Sequence, residues 1–459
     1  MMFGTINFRL IGAACSVNLL AFANGNAYAW SSTVLESLKS SDPNKNPLGT
    51  PINSFQESWI ASLVSLGAAC GPLLAGFCSD KFGRKRTLLA FSIPMLISHI
   101  MLSYASTPVE FYIARFMLGL GVGCVFTVVP MYIGEIAETE TRGFLGCMMG
   151  MFLSTGLLFV YSIGPLVSIT TLSYILVVPI VLFIVLFGIF FPESPYYHVA
   201  NGDELAAEMS LNKLRDNKNG SSNLKELSEI KQVVAESKEG GSSLLSAFKG
   251  KSFRKGITIT AVLMIFQQCV GITIILSYME KIFIASGSKI SSTTSTVTVA
   301  LIQWLTVILS SFLVDRWGRR MLLIVASAGC ALPLFSMGLY FYLKDKGTDV
   351  SSLWWLPILS LVVYIISYNF GLGTLPWALV GELFSTKTKS LASTITATTC
   401  LSLAFTMTLI FPTMEEIIGF SGAFWFFGGS AIKSFLFVMW YVPETKGRSF
   451  QEILMILEK

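Results

Sequence analysis

Twelve long apolar runs separated by short polar turns make up most of this chain. They fall at about 10–29, 57–78, 87–106, 109–134, 143–165, 171–191, 256–280, 293–314, 320–343, 353–379, 390–412 and 420–441. About 20 residues of helix cross the ~30 Å hydrocarbon core of a bilayer. In lipid the backbone must satisfy its own hydrogen bonds, so runs of this length are helices and not strands. The pattern predicts an all-α membrane protein with twelve transmembrane helices. Two polar stretches interrupt it. Residues 31–56 hold several Pro and Gly and read as an irregular loop. Residues 196–255 carry ten Lys and Arg beside eight Asp and Glu. Their pattern predicts short amphipathic helices at about 203–215 and 223–236, with Gly240-Gly241 as a break. Two roles for that segment stay open: a solvated linker, or a lid that braces the units on either side.

Polar signals set into the apolar pattern repeat. Asp80-Lys81-Phe82-Gly83-Arg84-Lys85-Arg86 returns 235 residues later as Asp315-Arg316-Trp317-Gly318-Arg319-Arg320. Glu135 with Arg142 returns 247 residues later as Glu382 with Lys389, and Pro192-Glu193-Ser194 returns 251 later as Pro443-Glu444-Thr445. Three signals in one order at nearly constant offset mean two homologous halves. Repeated halves in an apolar chain are a feature of membrane transporters. The expected organisation is a six-helix bundle over 1–195, a linker over 196–255, a second six-helix bundle over 256–442 and a tail over 443–459. A pseudo-two-fold axis along the membrane normal relates the bundles.

Composition agrees: 53% of residues are hydrophobic and 13% charged, against about 25% charged in soluble domains. With the N-terminus inside, 24 of the 32 Lys and Arg fall on the cytoplasmic side and six on the outer side. Cytoplasmic loops carry the excess of Lys and Arg, so both termini are expected in the cytoplasm. The plasma membrane is the expected location, though the charge bias does not choose it. The net charge of +5 follows from topology and is no sign of nucleic acid. Ala27-Tyr28-Ala29 has the form of a signal-peptide cleavage site. Cleavage there would remove a helix and break the two-by-six symmetry, so the first helix is expected to stay. All eight cysteines lie in or beside apolar runs and read as free thiols. There is no Walker loop, no dinucleotide fingerprint in context and no metal-ligand cluster. Neither enzyme chemistry, nor a cofactor, nor a metal is expected.

Charge at a membrane is costly and needs a partner. Asp80 and Arg84, like Asp315 and Arg319, stand four apart, which lets acid and cation meet across a helical turn. Glu135 with Arg142, and Glu382 with Lys389, supply further partners at the same end. The duplication favours a cytoplasmic gate of inter-helix ion pairs, latched when that side is shut, over charges that merely fix topology.

At this point the motifs form a pattern. Asp80 to Arg86 resembles the loop 2–3 signature of the major facilitator superfamily. Pro192-Glu193-Ser194-Pro195 and Pro443-Glu444-Thr445-Lys446-Gly447-Arg448 are similar to motifs of its sugar porter family. So are Gln267-Gln268 with Gly271 and Tyr278, Arg115 with Gly119, and Pro130-Met131-Tyr132 with Glu135 and Arg142-Gly143. Gly371 to Pro376-Trp377 with Glu382 also fits. The resemblance covers essentially the whole chain, and its texture looks like insect-type facilitated trehalose or glucose transporters. It implies the major facilitator fold, alternating access and a sugar substrate. It also implies that Glu193 and Glu444 join Asp80, Arg84, Glu135, Arg142, Asp315, Arg319, Glu382 and Lys389 in the cytoplasmic gate.

A polyhydroxylated neutral solute calls for side chains that both donate and accept, with an aromatic platform. The second half supplies Gln267, Gln268 and Thr273 on the seventh helix, Gln303 on the eighth, and Asn369 and Trp377 on the tenth. The alternative for each is contact between helices. The family usually places Asn where Thr273 stands, Gln where Gly150 stands and Asn-Trp where Cys400-Leu401 stand, so the sugar is left open. Gly371 to Pro376 is expected to break or kink the tenth helix. No Asp or Glu falls in the middle of a predicted helix, which favours passive uniport; His99 reads as a packing histidine. The expected function is uniport of a neutral mono- or disaccharide such as glucose or trehalose, by a monomer in the bilayer. A proton-coupled sugar or polyol symporter, and a sugar-binding receptor with little turnover, are the alternatives.

Overall fold

The computed structural model describes residues 7–43, 45–138, 141–215, 220–239, 250–384, 386–446, 448 and 450–458; the side chains of Arg142, Asp315 and Lys389 are among those outside the description. Among the described residues every regular element is helical. The first half holds α1 (Phe8–Leu38), α2 (Ser54–Phe82), α3 (Arg84–Tyr104), α4 (Pro108–Ile136), α5 (Arg142–Ile163) and α6 (Ile169–Phe190). Three short helices follow: α7 (Pro195–Ala200), α8 (Glu204–Leu214) and α9 (Gly220–Glu239). The second half holds α10 (Lys251–Cys269), α11 (Ile272–Ser286), α12 (Ser292–Trp317), α13 (Arg319–Asp345), α14 (Leu356–Phe370), α15 (Leu375–Leu383) and α16 (Thr386–Tyr441), and α17 (Phe450–Glu458) closes the described chain.

These elements make twelve spans. The pairs α10/α11 and α14/α15 are each one span broken in the middle. The stretch Leu391–Tyr441 is 51 residues long. A straight helix of that length would run about 76 Å at 1.5 Å per residue, over twice the bilayer core. Gly419 (φ 69°, ψ 173°) interrupts it, so α16 crosses twice. Local chemistry starts several of the helices. Asn53 and Gln56 form a capping box on α2, and Thr107 with Glu110 forms another on α4, which has Pro108 in its first turn.

The stretch expected as an irregular loop over 31–56 is helical as far as Leu38. The polar residues that open it, Ser31, Ser32 and Thr33, are buried, with Arg115 donating to the Ser31 hydroxyl, and Val34, Leu35 and Leu38 join the core. It reads as a loop because its hydroxyls face other helices and not water. The linker helices lie close to their expected positions. Ala207, Leu211, Leu227 and Ile230 pack together with Tyr196 and Val199. Arg215 binds the Ile136 carbonyl and Glu138, and Asn7 binds the Leu214 carbonyl, which docks this layer on the first half.

The two halves meet along three helix pairs: α1 with α11, α2 with α16, and α5 with α12. One core cluster runs through both, joining Trp30, Ile60, Phe111 and Tyr161 to Tyr278, Ile282 and Phe411.

Candidate functional site

At the linker end of the bundle each half repeats one construction. The turn into α3 is made by Gly83 (φ 98°), and the turn into α13 by Gly318 (φ 86°). Neither glycine can cap the helix it precedes. A distant carboxylate does so instead: Glu193 accepts from the Arg84 and Lys85 N–H groups at 2.9–3.0 Å, and Glu444 from those of Arg319 and Arg320 at 2.9 and 3.1 Å. A helix N-terminus presents unpaired donors and a positive dipole end, and a carboxylate satisfies both. A Cβ on either glycine would collide with the carboxylate, so glycine serves both the positive φ and the close approach.

The same turns orient the cations. Arg84 grips Glu135 in a fork, 2.8 Å from Nη2 and 3.0 Å from Nε, and Arg319 Nε lies 3.0 Å from Glu382. The Thr445 hydroxyl donates to Glu382 at 2.5 Å. Asp80 lies 3.7 Å from Arg84 across the glycine break with its side chain 74% exposed, so the expected pairing across a helical turn is the weak contact and Glu135 the strong one. The side chains of Asp315, Arg142 and Lys389 lie outside the description. The ion pairs Arg84–Glu135 and Arg319–Glu382 each join two helices of one half. Trp377, 36% exposed, stacks on Phe126 of the first half at 6.4 Å with ring planes 9° apart.

Deeper in the second half, the predicted amides divide into two groups. Gln267 donates from Nε2 to the Leu372 and Gly373 carbonyls at 2.7 and 3.1 Å, in the gap where α14 breaks into α15. Cys400 bridges the glutamines: its thiol donates to Gln267 Oε1 at 3.3 Å and accepts from Gln268 Nε2 at 3.2 Å. Thr273 donates to Gln268 Oε1 at 2.5 Å. Thr273 stands past the break between α10 and α11, where Gly271 takes φ 89°. These three predicted residues are thus joined within the second half. Gln303 and Asn369 are different. Both are buried, and Gln303 Oε1 and Asn369 Nδ2 have no hydrogen-bond partner.

Contacts that a reading of motifs missed lie across the seam. Trp304 Nε1 donates to Thr155 Oγ1 at 2.9 Å between α12 and α5. At the end away from the linker, Glu57 of α2 lies 2.8 Å from Lys39 and 3.4 Å from Lys281 of α11, and Lys281 lies 2.5 Å from Glu415 of α16. Ser54 bonds Glu416 between the same two halves. Glu57 and Lys281 were legible as charges near helix ends, but their pairing depends on how the halves meet. Buried Asn24 donates to the Val122 carbonyl, and both side-chain polar atoms of Asn26 lack a partner; three asparagines in the first apolar run, at 18, 24 and 26, were the available signal. Arg115 is fully buried, bound to the Ile60 and Ala27 carbonyls and to Ser31, with Trp30 at 4.8 Å. The expected packing histidine, His99, is fully buried but neither ring nitrogen has a partner. No group of three or more metal-binding side chains occurs among the described residues.

A family model described as "Sugar (and other) transporter" matches residues 16–457. Among curated relatives, facilitated trehalose transporter Tret1 of Anopheles gambiae is 32% identical over 443 residues, covering 96% of this chain and 55% of its own length. Tret1 of Culex quinquefasciatus is 31% identical over 452 residues, covering 97% and 85%. The chain thus spans about half the length of some of these relatives and most of others. Among solved structures, the inward-open xylose transporter XylE from E. coli superposes with a TM-score of 0.79 at 23% identity, covering 97% of this chain and 99% of that one. The same protein, a major facilitator superfamily proton:xylose symporter, bound to 6-bromo-6-deoxy-D-glucose gives 0.77 at 24% identity, covering 98% and 100%.

Proposed function

Because the chain belongs to the sugar (and other) transporter family, we propose that it carries a neutral mono- or disaccharide, such as glucose or trehalose, down its gradient by alternating access. The observation that carries this reading is unfilled hydrogen-bonding capacity at depth: Gln303 Oε1 and Asn369 Nδ2 are buried without partners. An unpaired amide in a membrane span is expensive, and a sugar hydroxyl supplies the missing partner. Gln303 and Asn369 act directly on the substrate. Gln267, Gln268 and Thr273 hold the breaks in the seventh and tenth spans and reach substrate by exchanging their present bonds, and Trp377 offers an aromatic face. The moving bodies are residues 1–195 and 256–442, joined by the linker 196–255, with the tail 443–459 on the second body.

The linker end is cytoplasmic on this reading, by the 24 to 6 bias in Lys and Arg, and both termini with it. Lys281 of the second half meets Glu57 of the first at the opposite, outer end, and Ser54 bonds Glu416 across the same seam, while the described pairs of Arg84 and Arg319 at the linker end stay within each half. That distribution supports an inward-facing state. Asp80, Arg84, Glu135, Arg142, Glu193, Asp315, Arg319, Glu382, Lys389 and Glu444 set how that cytoplasmic end opens. Passive transport is supported by Arg115, whose bonding partners are carbonyls and a serine. The protein works as a monomer in the plasma membrane.

Uptake of labelled glucose and trehalose into proteoliposomes, with and without a pH gradient, tests the proposal. Saturable equilibration of either sugar, indifferent to the pH gradient, is the expected result. Accumulation driven by protons overturns the uniport, and uptake of neither sugar overturns the substrate assignment.

A further inference from the structure

A groove of about 680 Å³ runs along the seam between α2 and α16, at the end away from the linker. Phe55 and Trp59 wall it on the first half, and Ile410, Met414 and Ile417 on the second. Its polar groups gather toward one end. Ser54 opens α2 and donates to Glu416 Oε1, and just beyond Glu416 the chain turns at Gly419. The stretch from Leu409 to Ile418 runs about 13 Å at 1.5 Å per residue, close to half of a ~30 Å hydrocarbon core. The groove is therefore one leaflet deep, polar at its rim and apolar below. Phe55 is 67% exposed and Ile417 76% exposed. With the halves joined at this end by Lys281–Glu57 and Ser54–Glu416, side chains this exposed face the surrounding membrane. Glu416 supplies the one charge among the described residues that line the groove. Ser54 fills one of its oxygens, and among the described residues the other accepts no hydrogen bond.

We propose that this groove seats one phospholipid with a primary-amine headgroup, its ammonium on the second Glu416 oxygen and an acyl chain between Trp59 and Ile410. A carboxylate at the edge of a membrane calls for a counter-charge, and an ammonium that donates N–H to it makes a charge-assisted bond. A quaternary ammonium has no N–H to give. An anionic headgroup meets like charge, and a sterol hydroxyl brings no charge at all. Below the rim the aromatic and branched side chains bury an acyl chain without asking for any polar contact. Because α2 belongs to one half and α16 to the other, the seat exists only while these two helices stand together. A bound lipid therefore favours the state in which this end is joined. The proposal requires that the chain span a bilayer, and it holds whichever solute is carried.

Full-length protein in phosphatidylcholine liposomes, irradiated with a trace of phosphatidylethanolamine carrying a diazirine on one acyl chain, tests the site against matched choline and anionic probes. Mass spectrometry of the digest is expected to place the ethanolamine label on the peptides that hold Trp59 and Ile410. The label there should exceed that of the choline probe about twofold to fivefold, the range of an exposed ion pair. Glu416→Gln is expected to bring the two probes level at these peptides and to leave labelling of the other spans as in the parent. Ile410→Trp, which fills the groove, should lower both. In thermal unfolding, added phosphatidylethanolamine should raise the Tm of the parent more than added phosphatidylcholine does, and Glu416→Gln with parent helix content should lose that difference. Equal labelling by the ethanolamine and choline probes in the parent, or a preference that survives Glu416→Gln, overturns the site and leaves ordinary surrounding lipid. Strongest labelling by the anionic probe, or a cross-link from these residues to a second protein chain, overturns it as well.

Discussion

The thiol of Cys400 stands between two glutamine amides, satisfying Gln267 Oε1 and Gln268 Nε2 at once. A buried donor or acceptor left unmade costs about 1–3 kcal/mol. Cys400→Ala removes the partner of both amides, and is expected to lower the melting temperature while freeing two groups for a hydroxylated ligand. Tighter sugar binding with lower stability is the predicted pair of effects, read from the KM for uptake and from thermal unfolding. Cys400→Ser keeps a group that both donates and accepts and should move neither by much. The polar residues of the seventh span were legible in the sequence, because amides in an apolar run need a reason. Their partners were not. Whether Gln267 meets a sugar or the Leu372 carbonyl is decided by helix register, which hydrophobic pattern does not encode.

At the scale of elements, the broken and capped helices carry the design. Gly371 to Pro376 announced the break between α14 and α15, since glycine and proline withdraw from a helix for known reasons. The matching break at Gly271 was carried only by the glycine after Gln267-Gln268. The repeated Pro-Glu motifs were legible as a repeat but not as caps, because the helix they cap lies more than 100 residues away. That arrangement makes a prediction about pH. Partial burial of Glu444 would raise its pKa, but the N–H groups of Lys446, Arg319, Arg320 and Thr445 hold it below the ordinary 4.5. A carboxyl with a depressed folded-state pKa contributes its full stabilisation above the unfolded value, and loses it as pH falls through the folded one. Thermal stability of the parent is therefore expected to fall below about pH 4.5, and Glu444→Gln to be less stable at pH 7 with a flatter acid limb. An acid limb as steep in the variant as in the parent would count against the cap. Gly318→Ala, which sets a Cβ against that carboxylate at a positive φ, should lose the cap at every pH.

The molecule as a whole spends its charges differently at its two ends. At the linker end Arg84 and Arg319 hold Glu135 and Glu382 within their own halves, so those pairs stiffen each bundle in the state described. At the other end the charges and hydroxyls reach across: Lys281 to Glu57, Ser54 to Glu416, Glu280 to Ser32. Shutting one end of a two-body carrier with inter-half bonds requires breaking them once per cycle, and this gives a prediction no single residue can. Cysteines placed at 54 and 416 and joined by a short bifunctional thiol reagent should hold the end away from the linker shut. Sugar uptake is then expected to stop, and to return when a cleavable linker is reduced. Thiol reagents applied from the linker side should still reach a cysteine at Trp377, a residue about a third exposed, because the linker end stays free to part. A cross-linked protein that transports at the parent rate would mean that the seam between α2 and α16 does not open in the cycle. Arg84→Ala should differ in kind from the cross-link: it loosens one bundle, lowering thermal stability, while leaving the end away from the linker joined by every contact it has now.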